Sequence, residues 1–256
     1  MIRRDTTFDD GRPAWLLISQ VEHARVAEEL AMGWGNETVS QLPLRKTLLP
    51  TILHHDDGWA EWEQNPTIDP ATGRPRAFTE MPNEVAHDLW EKSIESAGSF
   101  GPLAQFMVAQ HFIRLRRSGD ETGEDEVEDF LDEFDRRSTL WLGDWLTADP
   151  ESNSTELAEL AVDWLQLFDF FSLLICCTPG TKPRKLTVPG AGEIELTLQI
   201  EEAAVAIDPW PWNCEEKQIT ATGRMIAAQP CTSDDQLRLA LTAAPEVEHT
   251  WMFSRQ

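Results

Sequence analysis

Apolar residues recur every three to four positions over much of the chain, which is the spacing of an amphipathic helix. The clearest example is residues 19–32, where Val26, Ala27 and Leu30 share one helical face with His23. The same spacing predicts further helices over residues 42–57, 83–97 and 101–117, within the acidic stretch 119–135, and from 155 to an end at Thr178-Pro179-Gly180. Much of the chain is therefore expected to be helical.

Both ends of the chain show a different pattern. Residues 14–18 form a short apolar run after a turn at 9–11, and residues 194–200 alternate with a period of two, as in a strand with one buried face. Further strands are expected near 203–207, 217–227 and 236–243. The predicted fold class is mainly α (α+β overall). A helical domain over 20–182 is expected to carry a smaller β appendage formed by residues 1–19 and 183–256.

The composition is that of a globular protein, since 41% of the residues are hydrophobic and 11 Trp and 11 Phe occur beside no Tyr. The formal net charge of −24 predicts no binding to nucleic acid or to anionic membranes, because both need clustered Lys and Arg. A small phosphorylated substrate is compatible with this charge, because a bound cation inverts the field locally.

The cysteine pattern and the N-terminal residues indicate the cellular compartment. The four Cys show no C-x-x-C spacing, and the residues after Met1 show no signal-peptide pattern. The longest apolar run, 165–177, is shorter than the roughly 20 residues that span a bilayer, and it contains Asp169. These features predict a reduced, cytoplasmic protein without a membrane span, and they leave its oligomeric state open.

Three histidines and two aspartates occur where the predicted helices are expected to face the core. Asp169 lies in a helix that is apolar nearly all round, where an ionised carboxylate is costly unless it is paired. His55 and Asp56 stand side by side at a helix end, and His23 and His111 align with apolar residues of their own helices. Each residue alone fits an ordinary core position, whereas one divalent metal would satisfy all five.

The order His, then His-Asp, then Asp, each on a separate helix, resembles the HD superfamily of metal-dependent phosphohydrolases. His23, the His55-Asp56 doublet and Asp169 match that signature in order, and the interval from Asp56 to Asp169 is long for the superfamily. Over most of its length the chain also resembles an uncharacterised bacterial family of HD-like proteins. That second resemblance is carried by residues 55–62, 69–73 and 208–212.

The resemblance implies an HD-type helical bundle and a metal site. His23, His55, Asp56 and Asp169 would bind one or two divalent ions (Mn, Fe, Ni, Zn or Mg), and Asp56 would bridge two of them. His111 would then be an additional ligand of a second ion.

Further roles can be assigned near these ligands. Asp57 would orient or deprotonate an attacking water, Lys46 and Arg114 would bind phosphate, and Trp59 would wall the pocket or stack a base. Each of the four also fits a plain surface or core position. His87 is the obvious candidate for the second histidine of a binuclear site, but its place on the flank of an apolar stripe predicts a surface position.

Three functions remain open at this point. The leading hypothesis is a metal-dependent hydrolase that cleaves a small phosphoester or nucleotide with metal-activated water. An alternative is a non-catalytic metal-binding, ligand-binding or interaction protein. A further alternative is an HD-type di-iron oxygenase, which would need a full second set of ligands.

Overall fold

The computed structural model describes residues 1–119, 125–177, 182–190 and 194–256. The strands in these ranges are β1 (Ile2–Thr7), β2 (Pro13–Ile18), β3 (Arg184–Thr187), β4 (Glu195–Glu201), β5 (Ala204–Asp208), β6 (Lys217–Ala227) and β7 (Glu246–Arg255). The α-helices are α1 (Gln20–Ala31), α2 (Arg45–His54), α3 (Ala60–Gln64), α4 (Asn83–Ala97), α5 (Pro102–Ser118), α6 (Asp125–Ala148), α7 (Thr155–Cys177) and α8 (Asp234–Ala243).

The strands from both ends of the chain join in one sheet. Among the described strands the order is β1-β2-β6-β7-β5-β4-β3. Neighbouring strands are antiparallel except β5 and β7, which are parallel. The two ends meet at β2 and β6, where Leu16 pairs with Met225.

The predicted fold class, a mainly α HD-type bundle with a smaller β appendage, is wrong. Helices make up 51% of the described residues, but the strands form a seven-stranded mixed sheet, and the class is mixed α/β. The helical region separates the short strand segments along the chain. Both ends were expected to contribute strands to one β part, but local periodicity reports only the burial of each segment and therefore does not show that they complete a seven-stranded sheet.

Both faces of the sheet are covered at its β2 end, and β2 shows how. Its residues are buried from Ala14 onward, and alternate side chains enter different clusters. Leu16 and Ile18 belong to the main core, which continues into α1, α5 and α7. Trp15 and Leu17 face a smaller cluster that is closed by Leu237 of α8.

The helices of the main core meet around one point. Helix α1 begins at Ser19, whose hydroxyl accepts a hydrogen bond from the Glu22 N–H at 2.9 Å. It contacts α2, α7 and β6, while α5 contacts α2, α4, α6 and α7. The inner faces of α1, α5 and α7 and the end of α2 therefore surround one region of the core.

Two elements at the end of the chain differ from the prediction. Residues 236–243, expected as a strand, lie in helix α8, because Ser233 accepts from the Gln236 N–H and caps the helix. Leu237, Ala240 and Leu241 then pack on one face, while Leu239 is exposed. Strand β7 was not predicted, although its burial alternates.

Helix α7 is longer than the apolar run seen in the sequence. Among the described helices it is the one whose length and composition would allow it to cross a membrane, but 61% of its most apolar window is buried inside the protein. That burial is consistent with the core helix of a soluble protein. The predicted helix end at Thr178-Pro179-Gly180 and residues 120–124 of the acidic stretch lie outside the described residues.

Candidate metal centre

Five buried polar side chains converge between the helices. They are His23 of α1, His55 and Asp56 just after α2, His111 of α5 and Asp169 of α7. The doublet is fixed by a short 3-10 turn, Asp57–Trp59, that follows it. Gly58 in this turn lies against α4, where its N–H donates to Ser93 Oγ at 3.0 Å. Packing of the turn against α4 therefore sets the direction of both doublet side chains.

The two carboxylates lie between the three imidazole rings. His23 Nε2 lies 3.0 Å from Asp56 Oδ2 and 3.4 Å from Asp169 Oδ1. His55 Nε2 lies 3.6 Å from Asp56 Oδ2 and 3.3 Å from Asp169 Oδ1, and His111 Nε2 lies 4.0 Å from Asp169 Oδ2. The ligand atoms form two overlapping groups, His23/His55/Asp56 and His55/His111/Asp169, and within each group they all lie within 4.8 Å of one another. These buried groups can hold a metal ion.

Hydrogen bonds on the far side of two rings fix their tautomers. The Ser172 hydroxyl donates to the Asp169 carbonyl oxygen at 2.8 Å, so its oxygen accepts from His23 Nδ1–H at 2.6 Å. His55 Nδ1–H donates to the Ile52 carbonyl oxygen at 2.7 Å. In both rings Nε2 is therefore the nitrogen that faces the carboxylates. Metal-binding histidines are held in the same way in known sites.

The charges of the cluster are strongly coupled. Burial disfavours the charged form of His55, but the carboxylates of Asp56 and Asp169 outweigh it and raise the His55 pKa to about 9. Burial also opposes ionisation of both aspartates, yet the histidines hold the pKa of each below its ordinary value. Without a metal, the cluster therefore keeps two carboxylates charged beside a protonated His55.

Of the three candidate histidine ligands, His111 lies farthest from a carboxylate oxygen, at 4.0 Å from Asp169 Oδ2. Its ring meets that of His55 edge-on, with 5.5 Å between the ring centroids. Burial lowers the pKa of His111 to about 4, so the ring is neutral at pH 7 and its Nε2 is free to bind a metal. Its Nδ1 is buried and has no hydrogen-bond partner in the described structure, so nothing orients the ring from behind.

One family model, described as "Protein of unknown function (DUF3891)", matches residues 1–228. The chain belongs to this family. No curated protein and no solved structure matches it. The family description names no activity, so the function of this DUF3891 member has to be inferred from the site itself.

The structure does not bring Asp57 to the cluster. Its carboxylate accepts from Ser96 Oγ at 3.1 Å and pairs with His54 Nδ1 at 3.0 Å, on the partly exposed side of the turn. Adjacent residues at the end of a helix point in different directions, so the sequence neighbour of a ligand need not share its cavity. The water-activating role predicted for Asp57 has no geometric support here.

The residues predicted to bind substrate also lie elsewhere in this DUF3891 chain. Arg114 bonds to Asp163 at 2.7 Å, to Gln166 at 2.9 Å and to Glu159, all on the outer face of α7. Lys46 is exposed in the first turn of α2. Trp59 is buried and packs edge-on against Trp62, as a core aromatic does. The phosphate-binding and stacking roles therefore lack support from the geometry.

His87 is buried, contrary to the surface position predicted for it. Its ring stacks on Phe130 of α6 with 4.4 Å between centroids, and its Nδ1 lies 3.8 Å from a Glu126 oxygen. It belongs to neither ligand group found among the described residues. His87 therefore fills the contact between α4 and α6 and does not complete a second set of ligands.

Sequence reasoning missed three polar neighbours of the cluster. Ser172 lies one turn after Asp169, and Gln20 lies one turn before His23, so helical spacing alone puts each on the ligand face of its helix. Gln20 Nε2 donates to Asp56 Oδ2 at 3.4 Å, and the Gln20 N–H donates to Glu63 Oε1 at 2.7 Å. The sequence gives no comparable indication for Glu63, because the bend between α2 and α3 decides whether its side chain approaches the cluster.

Proposed function

We propose that the protein is a metal-dependent hydrolase that cleaves a small phosphoester or nucleotide with metal-activated water. The observation that carries the proposal is a pair of buried carboxylates whose ion pairs, in the described part of the chain, are all with histidines. A core that needed only to neutralise Asp56 and Asp169 would use a single Lys or Arg for each. Three imidazoles around two carboxylates make a set of metal ligands.

The donor types favour a transition ion. Imidazole nitrogen suits Zn, Fe and Ni, whereas Mg²⁺ prefers an octahedron of oxygens, so Mn, Fe, Ni or Zn fits this mixed site better than Mg. Both ligand groups include His55. Because its Nδ1–H donates to the Ile52 carbonyl oxygen, only the lone pair on Nε2 can bind a metal, and it binds a single ion. A single ion in either group would therefore have three protein ligands, and its remaining coordination positions would be open to solvent or substrate.

The surrounding residues suit hydrolysis. A bound divalent ion would lower the pKa of a coordinated water towards neutrality and offset charge on phosphoryl oxygens. The histidines are fully buried, and slight exposure remains at Asp56 and Asp169, so a substrate would approach from the carboxylate side. Positive charge for a phosphoryl group would come from the ion, since Arg114 and Lys46 lie elsewhere.

The two alternatives have less support. An HD-type di-iron oxygenase would need a second ligand set, and His87 packs away from the cluster against Phe130. A non-catalytic metal-binding protein would keep the same ligands, so turnover is the property that separates it from a hydrolase.

The test is hydrolysis by protein loaded in turn with Mn²⁺, Fe²⁺, Ni²⁺ and Zn²⁺, with small phosphomonoesters, phosphodiesters and nucleotides as substrates. We expect turnover that falls at least a hundredfold in Asp169→Asn and stays near the wild-type rate in Asp163→Asn. Asp163 lies on the same helix but faces Arg114. Metal-loaded protein that turns over none of these esters would favour the non-catalytic alternative.

A further inference from the structure

The side-chain amide of Gln20 lies beside the candidate metal centre. Gln20 is the first residue of α1, one helical turn before His23, and it is 3% exposed. Its backbone N–H donates to Glu63 Oε1 at 2.7 Å, and its Nε2 donates to Asp56 Oδ2 at 3.4 Å. Asp56 Oδ2 also lies 3.0 Å from His23 Nε2 and 3.6 Å from His55 Nε2. The amide therefore contacts the oxygen that joins the ligand group His23/His55/Asp56.

Neither end of this amide is well satisfied. Gln20 Oε1 is buried and has no hydrogen-bond partner in the described structure, and the same holds for Glu63 Oε2. Buried acceptors in folded proteins nearly always have a partner, so an unpaired oxygen beside a candidate metal centre points to a ligand. The contact from Nε2 to Asp56, at 3.4 Å, is long for an N–H···O hydrogen bond.

A half-turn of the amide exchanges its oxygen and its NH₂ group, which are nearly equal in size. Oε1 would then take the place of Nε2, which lies 3.4 Å from Asp56 Oδ2. Oxygen ligands about 2.1 Å from one ion lie about 3.0–3.4 Å from each other in octahedral or tetrahedral coordination. The turned amide oxygen would therefore have the spacing from Asp56 Oδ2 that a shared ion requires.

The charge at the centre favours one orientation over the other. The Asp56 carboxylate alone attracts the NH₂ group, as the observed contact shows. A divalent cation beside Asp56 would repel that group and attract the amide oxygen. The NH₂ group would then need an acceptor, and Glu63 Oε2 is an unpaired one on a residue already bonded to Gln20. One half-turn thus offers a partner to both unpaired oxygens.

We propose that Gln20 is a fourth protein ligand, and that its Oε1 binds the ion held by His23, His55 and Asp56. The inference rests on the proposed function for its metal centre, but it does not depend on hydrolytic activity. Amide and carboxylate oxygens suit Mn²⁺, imidazole nitrogens suit Fe²⁺ and Zn²⁺, and Zn²⁺ prefers nitrogen and sulfur ligands. Gln20 therefore shifts the preference of the centre from Zn²⁺ towards Mn²⁺ or Fe²⁺.

The first part of the experiment measures the affinities of metal-depleted protein for Mn²⁺ and Zn²⁺. Electron paramagnetic resonance follows free Mn²⁺, and competition with a chromophoric chelator reports Zn²⁺. Gln20→Leu removes the oxygen and adds no new ligand, so it should weaken Mn²⁺ binding at least about tenfold and Zn²⁺ binding less. Gln110→Leu removes an amide that bonds to Ser138 instead, and it should change neither affinity.

The second part is a crystal structure of Mn²⁺-loaded wild-type protein, which identifies the ligand atoms directly. We expect Gln20 Oε1 at about 2.0–2.3 Å from the ion. An ion bound without Gln20, whose amide still donates to Asp56, would overturn the inference, as would an unchanged Mn²⁺ affinity in Gln20→Leu. The crystal structure decides the question alone if Gln20→Leu does not fold. Failure of the proposed function would appear differently, as protein whose ion is bound by Gln20 but which hydrolyses no ester.

Discussion

Ser172 decides which nitrogen of His23 faces the carboxylates. Its hydroxyl accepts from His23 Nδ1–H and donates to the Asp169 carbonyl oxygen, so one side chain links two of the proposed ligands. Ser172→Ala should therefore weaken metal binding about 10- to 100-fold while the protein stays folded. Competition with a chromophoric chelator measures this affinity. Ser138→Ala removes a buried hydroxyl that bonds to Gln110 instead, and it should leave the affinity unchanged. Equal affinities in the two variants would contradict the role of Ser172.

The raised pKa of His55 predicts how the stability of the metal-free protein depends on pH. The folded-state pKa of about 9 lies above the ordinary value of about 6.5, so the stabilisation is fully present below pH 6.5 and is lost as the pH rises through 9. Chelator-treated protein should lose about 1–3 kcal/mol between pH 7 and 9.5, seen as a fall in Tm of several degrees. Metal-loaded protein and metal-free His55→Gln should lack this fall. A parallel fall in all three would show that other groups cause it.

The candidate ligands could be predicted from the sequence, and helical spacing could also have found Ser172 and Gln20, whereas the residues near the bend after the doublet could not be predicted. Asp169 stood out because a carboxylate in an apolar helix needs a partner, and that argument depends on one helix only. Whether Asp57 or Glu63 approaches the cluster depends on the bend between α2 and α3. That bend is set by contacts with α4, which are distant in sequence.

At the scale of elements, the 3-10 turn after the doublet depends on the absence of a side chain at Gly58. A Cβ at this position would lie 2.1 Å from the Leu89 carbonyl oxygen and 2.6 Å from the Ser93 nitrogen, both in the backbone of α4. Gly58→Ala should therefore lower the free energy of unfolding by about 3 kcal/mol or more, as measured by urea denaturation. It should also reduce metal binding, because α2 and α4 must separate.

Gly143→Ala is the matched control for that substitution. A Cβ there meets nothing within 4 Å, and Gly143 lies inside α6 near its C-terminal end, so alanine should raise stability by up to about 1 kcal/mol through its higher helix propensity. Comparable effects at both positions would mean that the turn does not pack tightly against α4.

Periodicity predicted α1, α4, α5 and α7, but it missed β7 and the second half of α6, and it failed where two periods coexist. In α8, Leu237, Leu239 and Leu241 alternate as in a strand, yet the face that packs is Leu237, Ala240 and Leu241. The capping Ser233 favours the helix, and the alternating pattern takes no account of it. Helices α4 and α5 carry no such conflict, and their predicted bounds lie within about one residue of the observed ones.

At the scale of the whole molecule, the main core joins the helices to the sheet. It includes Leu30 of α1, Phe168 of α7 and Phe253 of β7 in one cluster, so neither part buries its apolar surface alone. Unfolding in urea should therefore be one transition, with coincident midpoints for helical circular dichroism and for tryptophan fluorescence. Two separated transitions would instead show that the helical region unfolds independently of the sheet.

The central claim is that the buried cluster holds a metal ion, and the most direct test is the metal content of untagged protein by elemental mass spectrometry. The wild type should contain near-stoichiometric transition metal, and His55→Ala/Asp56→Ala should contain none. The neighbouring pair His54→Ala/Asp57→Ala, whose side chains bond to each other outside the cluster, should retain it. If wild-type protein stays metal-free even after incubation with manganese, iron, nickel and zinc, the cluster is a hydrogen-bonded core and the proposed function fails.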